Sequence, residues 1–173
     1  MSAVSPLATI AVGVLVERSK GSSPWAEFYW RPASVLIGVP DTPAWSKLSE
    51  DGERTTFYAG SADIALHRTE ATYYRDNLAS GAPVLWVVLR PVDGDPPYTV
   101  FTVTADPAEG EAMTEAGSDL VEAVPMPTPI QEAIAQFVAE HYVEQPFLKR
   151  KRDRADPEAL GYRAPLRGDK NNE

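Results

Sequence analysis

Every second position of the first apolar segment is β-branched, the residues being Ile10, Val12, Val14 and Val16. This period of two predicts a strand over 10–16. Turn-forming residues follow over 20–24, and an aromatic run then leads into a second apolar segment that ends at Val39. We predict a second strand there, antiparallel to the first. Pro32 should lie at a sheet edge or a bulge, because proline lacks the amide that a sheet ladder needs.

The middle of the chain mixes turn signals with short β-rich runs. Prolines, a glycine and acidic or hydroxyl side chains over 40–54 predict a loop, with Trp45 as its anchor. Two short strands are expected next, over 55–59 and 63–67, with a turn at Ala59-Gly60-Ser61 between them.

The clearest hairpin signal lies in the second half of the chain. Two β-rich segments, 84–90 and 98–104, flank an Asp-Gly-Asp-Pro-Pro sequence at 93–97. Such a turn between apolar runs predicts an antiparallel strand pair.

Capping signals predict two short helices. Thr69 can cap the first, and Gly81 ends it. The second helix has a strong start, because Asp106 can cap it, Pro107 suits its first position and Glu109 can reach back to the cap. Gly117 ends this helix. The apolar face of the first helix comprises Ala71, Tyr74 and Leu78.

A third helix has the most complete signal. Thr128 is expected to cap it, Pro129 to open it and Gln131 to complete a capping box. One face carries Ile130, Ile134, Phe137, Val138 and His141. This spacing predicts an amphipathic helix packed on the core.

These elements define an α+β fold class. We expect mainly antiparallel sheet, or a small partly open barrel, with about three helices, because no crossover is long enough to demand a parallel sheet. Residues 1–148 should form a single globular domain. Charge and proline replace apolar periodicity over 149–173, which predicts a basic, flexible C-terminal tail.

Composition narrows the possible chemistry. The 173-residue chain is 43% hydrophobic, which suffices for one core, and it contains no cysteine. Disulfides, thiolate nucleophiles and cysteine-ligated metal clusters are therefore excluded. The apolar stretch at 7–16 is too short to span a bilayer and lacks a basic flank. We therefore expect a cytoplasmic protein.

Charge is distributed unevenly along the chain. Residues 149–173 carry eight Lys or Arg and five Asp or Glu, a net charge of +3, whereas residues 1–148 carry −12. An acidic body repels nucleic acid, so binding of DNA or RNA is not expected except through the tail.

Familiar catalytic motifs do not occur in the sequence. It has neither a glycine-rich phosphate loop nor a G-x-S-x-G nucleophile elbow. His67 and His141, the only two histidines, lack the close spacing of a zinc site. We therefore expect no catalytic residue, no metal and no cofactor.

An aromatic segment over 24–32 is the first candidate binding feature. It places Trp25, Trp30 and Arg31 on or beside a predicted strand. Aromatic and arginine side chains dominate binding hot spots, so the segment could be a stacking platform or a docking surface for a protein. The alternative is that alternate aromatics fill the core and Arg31 lies along them.

A polar group that joins a predicted strand to a predicted helix is the second candidate. It comprises His67, Arg68, Tyr74, Arg75 and Asn77. Arg68 and Arg75 are seven residues apart and would share a helical face, so with His67 they could converge on an anion. Alternatively, the group forms buried hydrogen bonds and surface ion pairs.

The third candidate is the start of the tail. An apolar anchor and a basic cluster follow the last helix, namely Phe147, Lys149, Arg150, Lys151 and Arg152. Such an arm could grip an acidic partner surface or nucleic acid, or it could serve only to solubilise the chain.

The order of short motifs along the chain carries a family resemblance. The motifs are VGVLVER at 12–18, PW at 24–25, WRP at 30–32, LHR at 66–68, YRDNL at 74–78, VEAVPMP at 121–127 and PFLKRKR at 146–152. Over nearly its entire length the chain resembles a proteobacterial family of uncharacterised proteins. Its members are commonly encoded beside molybdenum-dependent formate dehydrogenase subunits and accessory proteins. Some members carry the label of a molybdopterin-guanine dinucleotide biosynthesis protein.

The resemblance implies a non-enzymatic accessory or maturation factor that binds a formate dehydrogenase subunit or accessory protein. It implies no catalytic residues. Nucleotide transfer to molybdopterin would need a glycine-rich loop and a lysine near the phosphates, which this sequence lacks. The alternative is a protein that binds an anionic small molecule or the molybdopterin cofactor, with Arg31, Arg68 and Arg75 holding a phosphate.

Overall fold

Two antiparallel sheets and three α-helices form the part of the chain that this computed structural model describes, residues 4–22, 24–25 and 27–143. The first sheet has four strands and the second has three. The predicted α+β class is therefore confirmed, with two open sheets in place of a barrel. The chain divides after Tyr142 into two units, and the predicted domain boundary at 148 lies outside the described residues.

The elements follow one another in the order strand, strand, strand, strand, helix, strand, strand, helix, strand, helix. They are β1 (Ala8–Lys20), β2 (Phe28–Ile37), β3 (Ser46–Asp51), β4 (Arg54–Leu66), a 3-10 turn (Arg68–Glu70), α1 (Ala71–Ala79), β5 (Val84–Pro91), β6 (Tyr98–Thr104), α2 (Pro107–Glu115), β7 (Leu120–Pro125) and α3 (Thr128–His141). The strand order is β2-β1-β4-β3 in one sheet and β6-β5-β7 in the other. Among the described helices, none is both long and apolar enough to cross a membrane.

The alternation in β1 sets the inner face of the first sheet. Val12, Val14 and Val16 are completely buried, and β2 pairs antiparallel with this strand as predicted. Pro32 satisfies both parts of its prediction. It lies on the edge strand β2, and the pairing shifts beside it, between Leu15 and Val16.

The prediction for residues 40–67 was wrong in two places. The expected loop contains the polar strand β3, which pairs with β4. The two expected short strands are one continuous strand, β4, whose pairing with β1 shifts at Gly60. Glycine there marks a bulge and not a turn, because the long neighbouring strand β1 supplies ladder partners on both sides of it. The predicted anchor Trp45 does pack against the core.

Strand β7 was not predicted. It pairs antiparallel with β5 from Leu120 to Pro125, and only Val124 within it is fully buried. An edge strand with one deeply buried position shows little alternation, so the sequence signal is weak.

The helix starts were predicted correctly once in three cases. Asp106 caps α2, accepting a hydrogen bond from the Ala108 amide at 2.8 Å. The glutamate expected to reach back, Glu109, instead accepts from the Thr104 hydroxyl at 2.6 Å, and the Asp106 amide donates to that hydroxyl. Thr69 lies within the 3-10 turn, and α1 begins at Ala71 without a side-chain cap. Thr128 is already inside α3, and Gln131 donates to the Met126 carbonyl at 2.8 Å instead of completing a capping box.

The helix ends and the hairpin agree with the sequence. Gly81 and Gly117 follow the C-caps of α1 and α2 with φ angles of 87° and 77°, a conformation that favours glycine. Strands β5 and β6 pair as predicted. Helix α3 is amphipathic and buries Ile130, Ile134 and Phe137, and it packs beside α1.

Candidate functional site

The aromatic segment is divided between the interior and the surface. Trp30 is half-buried and packs on the core, with its ring 5.7 Å from the rings of both Trp45 and Phe57. Trp25 is 93% exposed and Tyr29 is 51% exposed. Successive strand residues point to opposite faces of a sheet, which puts Tyr29 and Trp30 on different sides of β2. The alternative of a core aromatic therefore holds for Trp30. Trp25 and Tyr29 are at the surface, and their part in binding stays a prediction.

The cation that lies along the buried aromatics is Arg18, not Arg31. Its guanidinium carbon is 4.2 Å from the Phe28 ring centre, 5.1 Å from that of Phe57 and 5.6 Å from that of Trp30. Such distances give cation–π attraction. The chain's own arginine thus lies against the Trp30 ring, which also packs on the core, so Trp30 has a structural role. The alternation that puts Val14 and Val16 inward continues to Arg18 and is the signal that could have found it.

Arg31 lies on the outer side of β2 and forms an ion pair. Its Nη2 is 3.2 Å from Glu17 Oε2, across the β1–β2 ladder. The arginine side chain is 62% exposed, whereas that of Glu17 is 24% exposed. Arg31 is thus positioned at the surface, where a partner can reach it.

A cavity of about 310 Å³, called here the polar cavity, surrounds this ion pair. It is lined by Glu17, Ser19, Tyr29, Trp30, Arg31, Arg54, Leu120 and Glu122. Ser19 pairs with Tyr29 on β2 and with Arg54 on β4, while Leu120 and Glu122 come from β7. The wall thus carries two carboxylates and two guanidinium groups, which suits a partner with polar groups of both kinds.

Two predicted binding residues, Tyr74 and Asn77, are interior ties. The Asn77 side chain donates to the carbonyls of Val84 and Ala105 at 2.8 and 3.0 Å, and it accepts from the Val84 amide at 3.1 Å. It is only 4% exposed. Three of its hydrogen-bonding positions join α1 to the second sheet, so the side chain serves the fold.

Tyr74 is buried in the same way. Its hydroxyl accepts from the His67 amide at 3.0 Å and donates to the Ala65 carbonyl at 3.4 Å. Burial raises the pKa of Tyr74 to about 12, so the hydroxyl stays protonated at physiological pH. Both residues fit the alternative of buried hydrogen bonds.

The three arginines proposed for one anion do not share a cavity. Arg31 lines the polar cavity, and Arg68 lines a different one. Arg75 donates to the Tyr142 hydroxyl, and its guanidinium carbon is 4.7 Å from the centre of that ring. A single phosphate held by all three does not fit this arrangement.

The cavity beside Arg68 brings the two histidines together. This cavity, called here the histidine cavity, measures about 340 Å³ and is lined by Val4, Ser5, Leu7, His67, Arg68, Thr69 and His141. Their sequence spacing gave no hint of this meeting. Over the described part of the chain, no group of three or more His, Cys, Asp or Glu could hold a metal ion.

The candidate residues of the tail lie outside the described residues. They are Phe147, Lys149, Arg150, Lys151 and Arg152. Their part in binding stays a prediction from charge and sequence alone.

Comparison with known proteins places this arrangement in a family. The model of the family described as "Protein of unknown function (DUF3305)" matches residues 11–151. The chain belongs to this family. The DUF3305 region takes in the aromatic segment, both histidines and Arg68, and it begins after the Val4–Leu7 part of the histidine cavity. Neither the curated proteins nor the solved structures gave a match.

Proposed function

We propose that this DUF3305 protein is a non-enzymatic accessory or maturation factor of molybdenum-dependent formate dehydrogenase. It acts in the cytoplasm by binding a subunit or an accessory protein of that enzyme. The observation that carries the binding role is the outer side of β2, where exposed Tyr29 and Arg31 line the polar cavity. Trp25, which is also exposed, lies on the segment that leads into this strand. The choice of partner rests on the resemblance of the sequence motifs to proteins encoded beside that enzyme.

The docking surface consists of Trp25, Tyr29, Arg31 and Arg54 together with the carboxylates of Glu17 and Glu122. Tryptophan, tyrosine and arginine contribute most of the binding energy in many protein interfaces, because each combines a large apolar area with a polar end. Tyr29 and Arg31 are held by a paired strand, so little backbone freedom remains to be lost on binding. Mixed charge at the cavity adds specificity through complementary pairing.

The tail adds a second, electrostatic contribution to this proposal. Its net charge of +3 contrasts with −12 for residues 1–148. A basic arm attached to an acidic body would favour approach to an acidic patch on the partner, and salt would weaken this contribution.

The alternative function, binding of an anionic small molecule, is supported at one of the three proposed arginines only. Arg31, Arg68 and Arg75 lie apart, so the alternative reduces to the histidine cavity around Arg68.

A gene deletion combined with point variants tests the proposal. Deletion should lower formate dehydrogenase activity while transcription of the enzyme is unchanged, and the wild-type gene should restore the activity. A Trp25→Ala, Tyr29→Ala double variant should fail to restore it and should lose binding to the purified enzyme subunits. Normal activity in the deletion strain would contradict the proposal.

The matched control for this experiment is Tyr73→Ala. Tyr73 lies on α1 and is 45% exposed, close to the 51% of Tyr29. It should restore activity fully if the β2 surface is the docking site. Equal loss in the control and in the double variant would place the binding surface elsewhere.

A further inference from the structure

The histidine cavity is built from three parts of the chain that are distant in sequence. The segment before β1 supplies Ser5 and two apolar side chains, Val4 and Leu7. The turn after β4 supplies His67, Arg68 and Thr69, and the last residue of α3 is His141. Its volume of about 340 Å³ falls at the lower end of the range typical of small-molecule sites.

The polar side chains that line this cavity are all able to donate hydrogen bonds. They comprise one guanidinium, two imidazoles and two hydroxyls, with no carboxylate among them. The polar cavity differs, since Glu17 and Glu122 belong to its wall. Among the described residues Arg68 forms no ion pair, so its charge stays available to a ligand.

Two carboxylates lie close to the lining residues. Glu70 accepts a hydrogen bond from the Thr69 hydroxyl at 3.3 Å. Glu140 Oε2 is 3.7 Å from His141 Nε2, too far for a hydrogen bond. Both carboxylates thus engage side chains other than Arg68.

The ring of His141 has an unmet hydrogen-bonding position. Its Nδ1 is buried and has no hydrogen-bond partner among the described residues. The ring is held against Phe137, with ring centres 4.5 Å apart. A buried polar atom without a partner is rare, but Nδ1 is closed to solvent. A ligand in the cavity therefore meets the exposed part of the ring, which is 21% of the side chain.

We propose that the histidine cavity binds a small organic oxyanion, a carboxylate or a phosphate monoester. Arg68 pairs with two oxygens of the anion, because the guanidinium fork matches both groups. His67 and His141 add single hydrogen bonds, and Val4 and Leu7 contact the apolar part of the ligand. The body is acidic, so its long-range field does not draw anions in, and recognition depends on these short-range contacts.

Imidazole NMR on the full-length protein tests this directly. The chain has two histidines only, so each ring signal can be followed separately. Inorganic phosphate and butyrate are added in separate titrations, at constant pH and at an ionic strength held constant with chloride. Both rings should respond to the same anion and reach saturation. A response to phosphate alone assigns the phosphate class, and a response to butyrate alone assigns the carboxylate class.

Variants of the arginines separate a specific site from general salt effects. Arg68→Gln should raise the dissociation constant of the anion about tenfold or more, because a charged hydrogen-bond pair is lost. Arg68→Lys keeps the positive charge but lacks the planar guanidinium group, so it should raise the dissociation constant by a smaller factor. Arg75→Gln removes the same charge from α1, outside the cavity, and should leave the dissociation constant unchanged.

The amide spectrum of each variant reports whether it is folded. If neither anion shifts the two rings, or if Arg68→Gln binds as well as wild type, the oxyanion site is refuted. None of these variants changes the docking surface on β2. The proposal of partner binding can therefore be confirmed or refuted independently of the anion site.

Discussion

Two segments that carry many of the candidate residues, 28–31 on β2 and 67–77 on the turn and α1, put different chemistry on their inner sides. On β2 the inner side is aromatic, and Trp30 packs between rings and the Arg18 guanidinium. On α1 the inner side is polar, and Asn77 and Tyr74 hydrogen-bond the backbones of neighbouring elements. In both segments the outer residues, Tyr29 and Arg75 among them, are exposed. Side-chain type alone therefore does not separate exposed residues from interior ones, whereas the face of the strand or helix on which a side chain lies does.

The largest expected effect is on the polar inner side. Asn77→Ala should lower the free energy of unfolding by about 3 kcal/mol or more, because it leaves buried groups of Val84 and Ala105 without partners. Chemical denaturation measures this. Asp76→Ala, one position along α1 and exposed, should change stability by less than about 0.5 kcal/mol. Equal effects in the two variants would show that Asn77 is not an interior tie.

The aromatic inner side should give a somewhat smaller effect. Trp30→Ala should destabilise the fold by about 2 kcal/mol, below the cost for a fully buried ring, since a half-buried ring that contacts Trp45 and Phe57 is removed. Tyr29→Thr, its outward neighbour on β2, retains a β-favouring residue and should cost about 0.5 kcal/mol or less. Thermal unfolding of the pair tests the contrast. A larger loss for Tyr29→Thr would reverse the assignment of the two faces.

The smallest effects are expected for the two arginines, Arg18 on the inner side of the sheet and Arg31 on its outer side. Arg18→Met should cost about 1 kcal/mol, because it removes cation–π contacts with Phe28 and Phe57. Arg31→Met removes only the exposed ion pair with Glu17 and should lower the free energy of unfolding by less than about 0.5 kcal/mol. High salt should abolish this loss, because it screens the ion pair in the wild type as well. Stability measured at low and high salt checks both. A salt-sensitive loss in Arg18→Met that exceeds the one in Arg31→Met would contradict this division.

Local signals account for the parts of the fold that were predicted. Strand β1 has a strict alternation, Asp106 has the residue types of a helix cap, and Gly81 and Gly117 occupy left-handed positions that few other residues tolerate. Each signal acts over a few residues, so it can be read without knowing the rest of the chain.

Errors arose for two different reasons. Strand β3 forms a hairpin with β4, the strand that directly follows it, and it was missed because its sequence is polar and lacks an apolar alternation. For β7 and Gly60 the pairing partner is remote in sequence, since β7 lies beside β5 and β1 continues past Gly60. In these two cases non-local hydrogen bonds overrode a local turn or loop preference.

For the candidate site too, some features were predicted from the sequence and others required the structure. The sequence pointed to two separate groups, one around Trp25 and Trp30 and one around Arg68 and Tyr74, and it already placed Tyr74 on the apolar face of the first helix. Only the structure turned Asn77 inward and kept Trp25 at the surface. The cation–π role of Arg18 needed the β1–β2 register, which aligns it with Trp30.

The sequence by itself determined the α+β class, the antiparallel pairing of β1 with β2, the hairpin of β5 and β6 and the amphipathic α3, because periodicity and turn chemistry are short-range properties. The tertiary structure alone decided which candidate residues meet. His67 and His141 line one cavity because α3 ends near the turn after β4, whereas Arg31, Arg68 and Arg75 are separated. Such meetings depend on long-range packing and strand order, which no local pattern of residues encodes.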